Sequence, residues 1–210
     1  MAAADCAVLA RAFPSLALSG DCCLNSRISC GNGRITRIDL GTMGLTGPLP
    51  QALTELSALG ILNLYDNALT GPIPSWVGDM KSLTTLFLDK NKFTGTIPDS
   101  LGKLTGLGQL TLGENGLVPP IPDSLGNMQA LYYLSLNNLA MSIPIPSWIG
   151  NLKRLTFLNL GTSGYTGPIP DWIGDLQALE TLVLTDNKLS GPVPSSFSRL
   201  QKLKTLPNTQ

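Results

Sequence analysis

The residues of this 210-residue chain best suited to covalent or metal chemistry are its four cysteines: Cys6, the adjacent Cys22 and Cys23, and Cys30. Zinc sites favour cysteine pairs with two residues between them, and adjacent cysteines chelate poorly. Two disulfides are the better reading, and disulfides imply an oxidising compartment. Histidine is absent from the whole chain. Its absence removes Ser-His-Asp and Cys-His nucleophile arrangements, His-containing metal sites and the side chain that most readily changes charge near neutral pH. Asp89-Lys90-Asn91 opens like a calcium loop, but Ser100 stands where the bidentate glutamate belongs. Gly102 to Gly108 holds glycines and a lysine in an order no phosphate loop uses. The expectation is a protein with no catalytic residues, no metal and no cofactor, which acts by contact alone.

A contact surface needs a scaffold, and the scaffold is written in a period. Leu62 to Pro74, Leu-Asn-Leu-Tyr-Asp-Asn-Ala-Leu-Thr-Gly-Pro-Ile-Pro, returns in variants every 24 residues, with its second proline at Pro50, Pro74, Pro98, Pro122, Pro146, Pro170 and Pro194. A fixed period with L-x-x-L-x-L-x-x-N predicts a leucine-rich repeat solenoid. Each L-x-L pair, such as Leu62/Leu64 or Leu134/Leu136, puts two apolar residues on one face of a short strand and its flanking residues on the other. Identical turns stack these strands in parallel. Three residues later stands an asparagine (Asn67, Asn91, Asn115, Asn187), whose amide can both donate to and accept from backbone groups left inside the turn. The Leu-Thr-Gly-Pro-Ile-Pro run stays extended because proline fixes its own φ and restricts the residue before it. Its fifth residue points inward as a second apolar column, Leu49, Ile73, Ile97, Ile121, Ile145, Ile169 and Val193. The return path, for example Trp76 to Leu83, spaces apolar residues by about three, as a short helical turn does.

Departures from the template cluster. The ladder asparagine becomes Met43, Leu139 and Ser163, and the glycine before the proline region becomes Pro119 and Ile143, so the turns around these positions should be less regular. A serine and threonine column, Thr46, Thr70, Thr94, Ser142, Thr166 and Ser190, runs along one flank and is broken at Val118. On the concave strand face packing does not dictate residue type, and there aromatics occur among polar residues: Tyr133 and Phe157 on adjacent strands, Tyr65 and Phe87 diagonally placed beside Asp89. Exposed aromatics in polar surroundings are typical binding anchors, although cross-strand stacking that only stabilises the sheet gives the same pattern. The expected ligand contacts are Tyr65, Phe87, Asp89, Tyr133, Ser135, Phe157 and Asn159. Trp76, Trp148 and Trp172 fall on the convex turn, where they cover it.

The pattern L-x-x-L-x-L-x-x-N-x-L-T-G-x-I-P-x-x-L-G-x-L, spanning Arg34 to Leu203, resembles the plant-type subclass of leucine-rich repeats found in receptor-kinase ectodomains and polygalacturonase-inhibiting proteins. The leading Cys22-Cys23 pair, a later cysteine and Gly31-Asn32-Gly33-Arg34-Ile35 resemble that subclass's N-terminal cap, with Asn25-Ser26-Arg27 where a tryptophan is usual. The resemblance implies an extracellular recognition module without catalytic residues, whose partner is a protein or peptide bound chiefly on the concave face. It also implies the disulfides Cys6 to Cys22 and Cys23 to Cys30. Within this frame residues 1–33 form the helical, disulfide-bonded cap, 34–198 seven repeats, and 199–210 an incomplete turn begun by Leu200, Leu203 and Leu206, with Pro207 and Asn208 where a strand should follow.

Composition agrees with a recognition role. A formal charge of zero and only 13% charged residues leave no basic field for nucleic acid. Asp5 and Arg11 interrupt the apolar start, so the chain reads as a mature start with Met1 ahead of it, and no stretch approaches a membrane span. Asp5 is expected to cap a short helix through Arg11 and Phe13 whose apolar side covers the first repeat. No Asn-x-Ser/Thr acceptor is present. The alternative function is a structural or surface-active repeat protein, an array component or an ice binder using the hydroxyl flank, with no discrete ligand site. An enzyme is a distant third.

Overall fold

The computed structural model describes residues 2–18 and 20–204. The expectations at Leu206, Pro207 and Asn208 lie outside the described residues. Every L-x-L pair lies inside a turn of one stacked coil. The strands Arg34–Asp39, Ile61–Asn63, Thr85–Phe87, Gln109–Thr111, Tyr133–Ser135, Phe157–Asn159 and Thr181–Val183 form one parallel sheet in unbroken register. Parallel strands usually need long helical crossovers. Here each return is a single 3-10 turn such as Ser75–Asp79 or Asp99–Lys103, because the next strand lies one period away rather than across a layer. Those turns stack closely. A Cβ on Gly78, Gly102 or Gly174 would stand 2.0, 2.3 and 2.3 Å from the carbonyl oxygens of Ser100, Ser124 and Ser196, so glycine is required there.

The inward leucines are buried along the whole coil, in one continuous core that runs from Leu9 in the cap to Leu200. The second column is buried too, from Leu49 to Ile169. Val193 departs from the expectation: it is 53% exposed, since no following turn among the described residues covers it. Trp148 is 4% exposed, while Trp76 and Trp172 are partly buried against the core, so all three cover the outer turn.

Each turn leaves the concave strand through a residue in the left-handed region, Asp66, Lys90, Glu114, Asn138, Thr162 and Asp186 among them, with φ between 51 and 56°. Such a residue is strained by about 1 kcal/mol or more. The ladder asparagine beside it offsets that strain. Asn91 Nδ2 donates to the carbonyls of Leu64 and Leu88 at 2.9 and 3.1 Å, and its Oδ1 accepts from Leu69 N at 3.0 Å. Asn67, Asn115 and Asn187 repeat the pattern, each joining its own turn to the one before.

The irregular turns are uneven in a way their spacing did not show. Ser163 Oγ contacts the Leu136 carbonyl at 2.9 Å and accepts from Leu139 N at 3.2 Å, so a hydroxyl bridges the same two turns as the missing amide. The equivalent of the other ladder amide, Met141 N, turns instead to the backbone carbonyl of Ser163 at 2.9 Å. Leu139 brings no polar group and is buried. The template glycines Gly47, Gly71, Gly95, Gly167 and Gly191 all have φ between 74 and 85°. Proline cannot adopt that conformation, and a β-branched isoleucine resists it. Where Pro119 and Ile143 stand, the second sheet along the flank accordingly breaks. Its strands Thr46–Gly47, Ala68–Pro72, Lys92–Thr96 and Gly116–Val118 pair consecutively, then only a single bridge, Pro144 to Thr166, precedes the pair Thr166–Pro168 and Lys188–Ser190.

The cap consists of a helix, Ala3–Ala12, two short 3-10 turns and a strand, Ile28–Gly31, that pairs antiparallel with Arg34–Asp39. Asn32 and Gly33, both at positive φ, form the two-residue turn between these strands. Val8, Leu9, Ala12 and Phe13 cover the first repeat. Disulfides join Cys6 to Cys22 and Cys23 to Cys30. Asp5 does not cap its helix, whose N-cap is Ala2 without a side-chain bond. Its buried carboxylate accepts from Arg34 Nε at 3.0 Å and Ile35 N at 2.8 Å, tying the cap to the first strand, a contact 30 residues away that local sequence cannot announce. Among the described residues no helix is long and apolar enough to cross a membrane.

Two outcomes follow for stability. The paired substitution Cys6→Ser with Cys22→Ser should lower the unfolding free energy by about 3 kcal/mol, the entropy of closing a loop of roughly 16 residues, as measured by denaturant titration. Ser163→Ala should cost about 1 to 3 kcal/mol by the same measurement, since it leaves buried backbone groups unpaired. A Ser163→Ala protein as stable as the parent would show that the hydroxyl does not replace the ladder amide.

Candidate functional site

The concave strand register decides which outward side chains meet. Tyr133 is the direct partner of Phe157, and their rings stack at a centroid distance of 4.1 Å and an angle of 2°. Each ring spends one face on the other, so an approaching molecule meets the outer faces, the edges and the Tyr133 hydroxyl. Burial raises the Tyr133 phenol above its ordinary pKa, and the charge of Asp89 adds to that shift.

Asp89 stands two strands before Tyr133. Its carboxylate accepts from the Thr111 hydroxyl. Burial raises the Asp89 pKa above the usual carboxylate value; the Thr111 hydrogen bond opposes the shift, and the charges of Glu114 and Asp66 add to it. Phe87, half-buried, precedes Asp89 on the same strand face, and Tyr65 lies at its level on the preceding turn, 37% exposed. Lys90 does not point at Asp89. Its ammonium lies 5.6 Å from the Tyr65 ring centroid and 3.1 Å from the Asp66 carboxylate.

Ser135 is the expected contact that the structure withdraws. It is 6% exposed, sunk between its register partners Thr111 and Asn159, and its hydroxyl donates to Asn137 Oδ1 at 2.7 Å. Asn159 is half-buried, with Oδ1 accepting from Gly161 N at 3.0 Å. The structure thus groups Asp89 with Phe87, Tyr65 and Thr111, and Tyr133 with Phe157, while Ser135 and Asn159 lie beneath and beside the second group. Thr111 and the exposed Tyr132 were not singled out from sequence. Tyr132 lies over Gly108, where a Cβ would come within 2.7 Å of its ring. The signal was available: a glycine and a tyrosine one period apart in the same flank column.

The sulfurs of Cys6, Cys22 and Cys23 lie within 4.8 Å of one another, the one such grouping of candidate metal ligands among the described residues. All three are committed to disulfides, which leaves no thiolate for a metal.

Stacked parallel strands, 3-10 returns and an asparagine ladder define a leucine-rich repeat solenoid. The Leucine Rich Repeat family model matches residues 58–80, 82–104 and 178–200. Solved structures extend the likeness over nearly the whole chain. A chain of the PEPR1–AtPEP1 crystal structure is 31% identical over 97% of this chain and 31% of its own, with a TM-score of 0.86. A chain of the complex of the Arabidopsis receptor kinase HAESA with the peptide hormone IDA and the co-receptor SERK1 is 30% identical over 95% of this chain and 40% of its own, with a TM-score of 0.79. A chain of the BIR3–SERK2 complex from Arabidopsis thaliana is 31% identical over 85% of this chain and 83% of its own, with a TM-score of 0.61. No curated protein matches the sequence. The chain belongs to the plant-type leucine-rich repeat family. It spans between about a third and two fifths of the PEPR1 and HAESA structure chains.

The electrostatics of Asp89 can be read out directly. Its folded pKa is raised, so the stability linked to the protonated carboxyl is present below the ordinary carboxylate pKa and is lost as pH rises through the raised value. Asp89→Asn, which keeps an acceptor for Thr111, should melt above the parent temperature near about pH 7, and the difference should vanish by about pH 3, where the carboxyl is protonated anyway. Calorimetric melts at both pH values check this. Equal melting temperatures at both would mean that Asp89 is ordinarily solvated.

Proposed function

We propose that this chain is a non-catalytic, extracellular recognition module that binds a peptide or a protein segment along its concave face, centred on Tyr133 and Phe157. The observation that carries this reading is the stacked pair itself, two large rings held rigidly on the open side of a sheet whose core is already filled by leucine. Rigid aromatics make strong anchors because little side-chain entropy is lost when they are covered. Because each ring has one face taken by the other, the pair offers no open two-ring platform; it offers slots on either side, which suit side chains projecting from an extended chain. HAESA, a relative of similar fold, is solved with the peptide hormone IDA, which favours the same ligand class. The disulfide cap suits an oxidising, extracellular setting.

The surface-active alternative has less support. Its flank of hydroxyls lies on the second sheet, and that sheet is interrupted between Gly116–Val118 and Thr166–Pro168, which divides the array a lattice match would need.

Alanine at both Tyr133 and Phe157 should cost the fold about 1 kcal/mol, the worth of one cross-strand aromatic pair. Ligand affinity should fall by about thirtyfold or more for each anchor. Lys153→Ala on the exposed convex side is the control, with affinity nearly unchanged. Binding titrations with peptides selected on the parent protein, alongside thermal melts, supply the test. A double variant that melts like the parent and binds at full strength would place the active surface elsewhere.

A further inference from the structure

Asp89 is the one formal charge among the outward positions of the concave strands from Ile61 to Thr185. Among the described residues no cation forms an ion pair with it. Asp5, Asp39, Glu55, Asp66, Asp79, Asp175 and Glu180 each pair with an arginine or lysine. Asp99, Glu114, Asp123, Asp171 and Asp186 are in none of these pairs, and all five are exposed to water, while Asp21, half-buried in the cap and also without an ion pair, accepts from the Cys23 backbone amide. Among the described acidic residues of the repeats, Asp89 alone is neither paired nor exposed. It is half-buried, makes no ion pair among the described residues, and its carboxylate is met by the Thr111 hydroxyl and its own backbone amide, neither of them a cation. Lys90, its chain neighbour, is directed to Asp66 and the Tyr65 ring. A partly desolvated carboxylate without a countercharge is costly to the folded protein, and that cost is recovered only when a cation arrives.

The groups around Asp89 suit such an arrival. Phe87 and Tyr65 present aromatic rings, Tyr133 brings a phenol close enough to feel the Asp89 charge, and Glu114 and Asp66 add negative potential at the rim. Aromatic rings beside a carboxylate attract ammonium and guanidinium groups through both the charge and the ring quadrupole. The same field repels phosphate, sulfate and a peptide's terminal carboxylate. We infer that Asp89, with Phe87, Tyr65 and Thr111, forms a subsite for an arginine or lysine side chain of the bound peptide, two strands from the Tyr133–Phe157 anchor. This inference rests on the concave-face reading proposed above and adds to it the charge and placement of one ligand residue.

The test uses the whole chain and a library of random linear peptides displayed for selection, run in parallel on the parent, on Asp89→Asn and on the Tyr133→Ala, Phe157→Ala double variant. Selected peptides should share one arginine or lysine at a fixed distance from an apolar residue. In synthetic copies, replacing that basic residue by glutamine should weaken binding to the parent by about tenfold or more and leave binding to Asp89→Asn unchanged, the pattern of direct coupling. Affinity of the basic peptide for the parent should also fall as pH drops through the raised Asp89 pKa, with no such fall for Asp89→Asn. Asp89→Glu, which keeps the charge, should retain the preference. If selected peptides depend on Tyr133 and Phe157 but carry no basic residue, or lose equal affinity on both proteins, the cation subsite is wrong and the concave reading stands. Peptides that bind the aromatic double variant as well as the parent would overturn both.

Discussion

The architecture depends on a carboxamide that belongs to two turns at once. Without the ladder asparagine, a turn such as that of Asn91, which already carries a strained left-handed residue, would leave two carbonyls and an amide inside it with no partner. Asn91 alone reaches the Leu64 and Leu88 carbonyls and the Leu69 amide, so one side chain satisfies its own turn and fastens the preceding one. The leucines give the coil its driving force, since burial of apolar surface is non-directional. The amide gives it its pitch. A core of leucine alone could slide; a carboxamide with partners at about 3 Å on two successive turns cannot.

That division explains what could be read from the chain. The strand register follows from the period without adjustment, and so the period alone places Tyr133 and Phe157 side by side. The convex tryptophans and the weak flank at Pro119 and Ile143 were legible for the same reason, because each is a position in a repeating template, whereas the cap pairing was implied by the resemblance of the cap to its family. What the template does not encode was missed. Asp5 acts on Arg34 and Ile35 across the cap, and the strand Ile28–Gly31 exists because the first repeat offers an edge to pair with. Ser135 points to the concave side as its period demands, yet its short side chain sinks between Thr111 and Asn159. Orientation was readable; depth was not, because depth depends on the size of neighbours one turn away on each side. Ser163 makes the complementary point: a hydroxyl shorter than an amide still spans two turns once the backbone amide of Met141 finds a different partner.

The concave surface follows a separate logic. Some of its polar groups are closed in pairs, such as Arg37 with Asp39, or Asn159 with the Gly161 amide. Asp89 is left with an incomplete set of partners, and the aromatic pair with uncovered outer faces. On the proposed reading, a surface unfinished in charge at one point and in contact area at another would select a molecule that supplies both at the right separation, with specificity arising from that separation as much as from either group.

The interruption of the flank sheet bears on how the coil would respond to such a molecule. On the concave side seven parallel strands run through without a gap, while on the flank the fifth turn is held by a single bridge. The coil is therefore a beam continuous along one edge and notched along another, and its easiest bend lies at the notch. Asp89 belongs to the third turn and Phe157 to the sixth, so a ligand touching both lies across the notched turn and acts as a splint. Stiffening that turn draws on the ligand's contacts, and any partner that needs the two halves of the coil held at one angle would find that angle fixed only in the bound form.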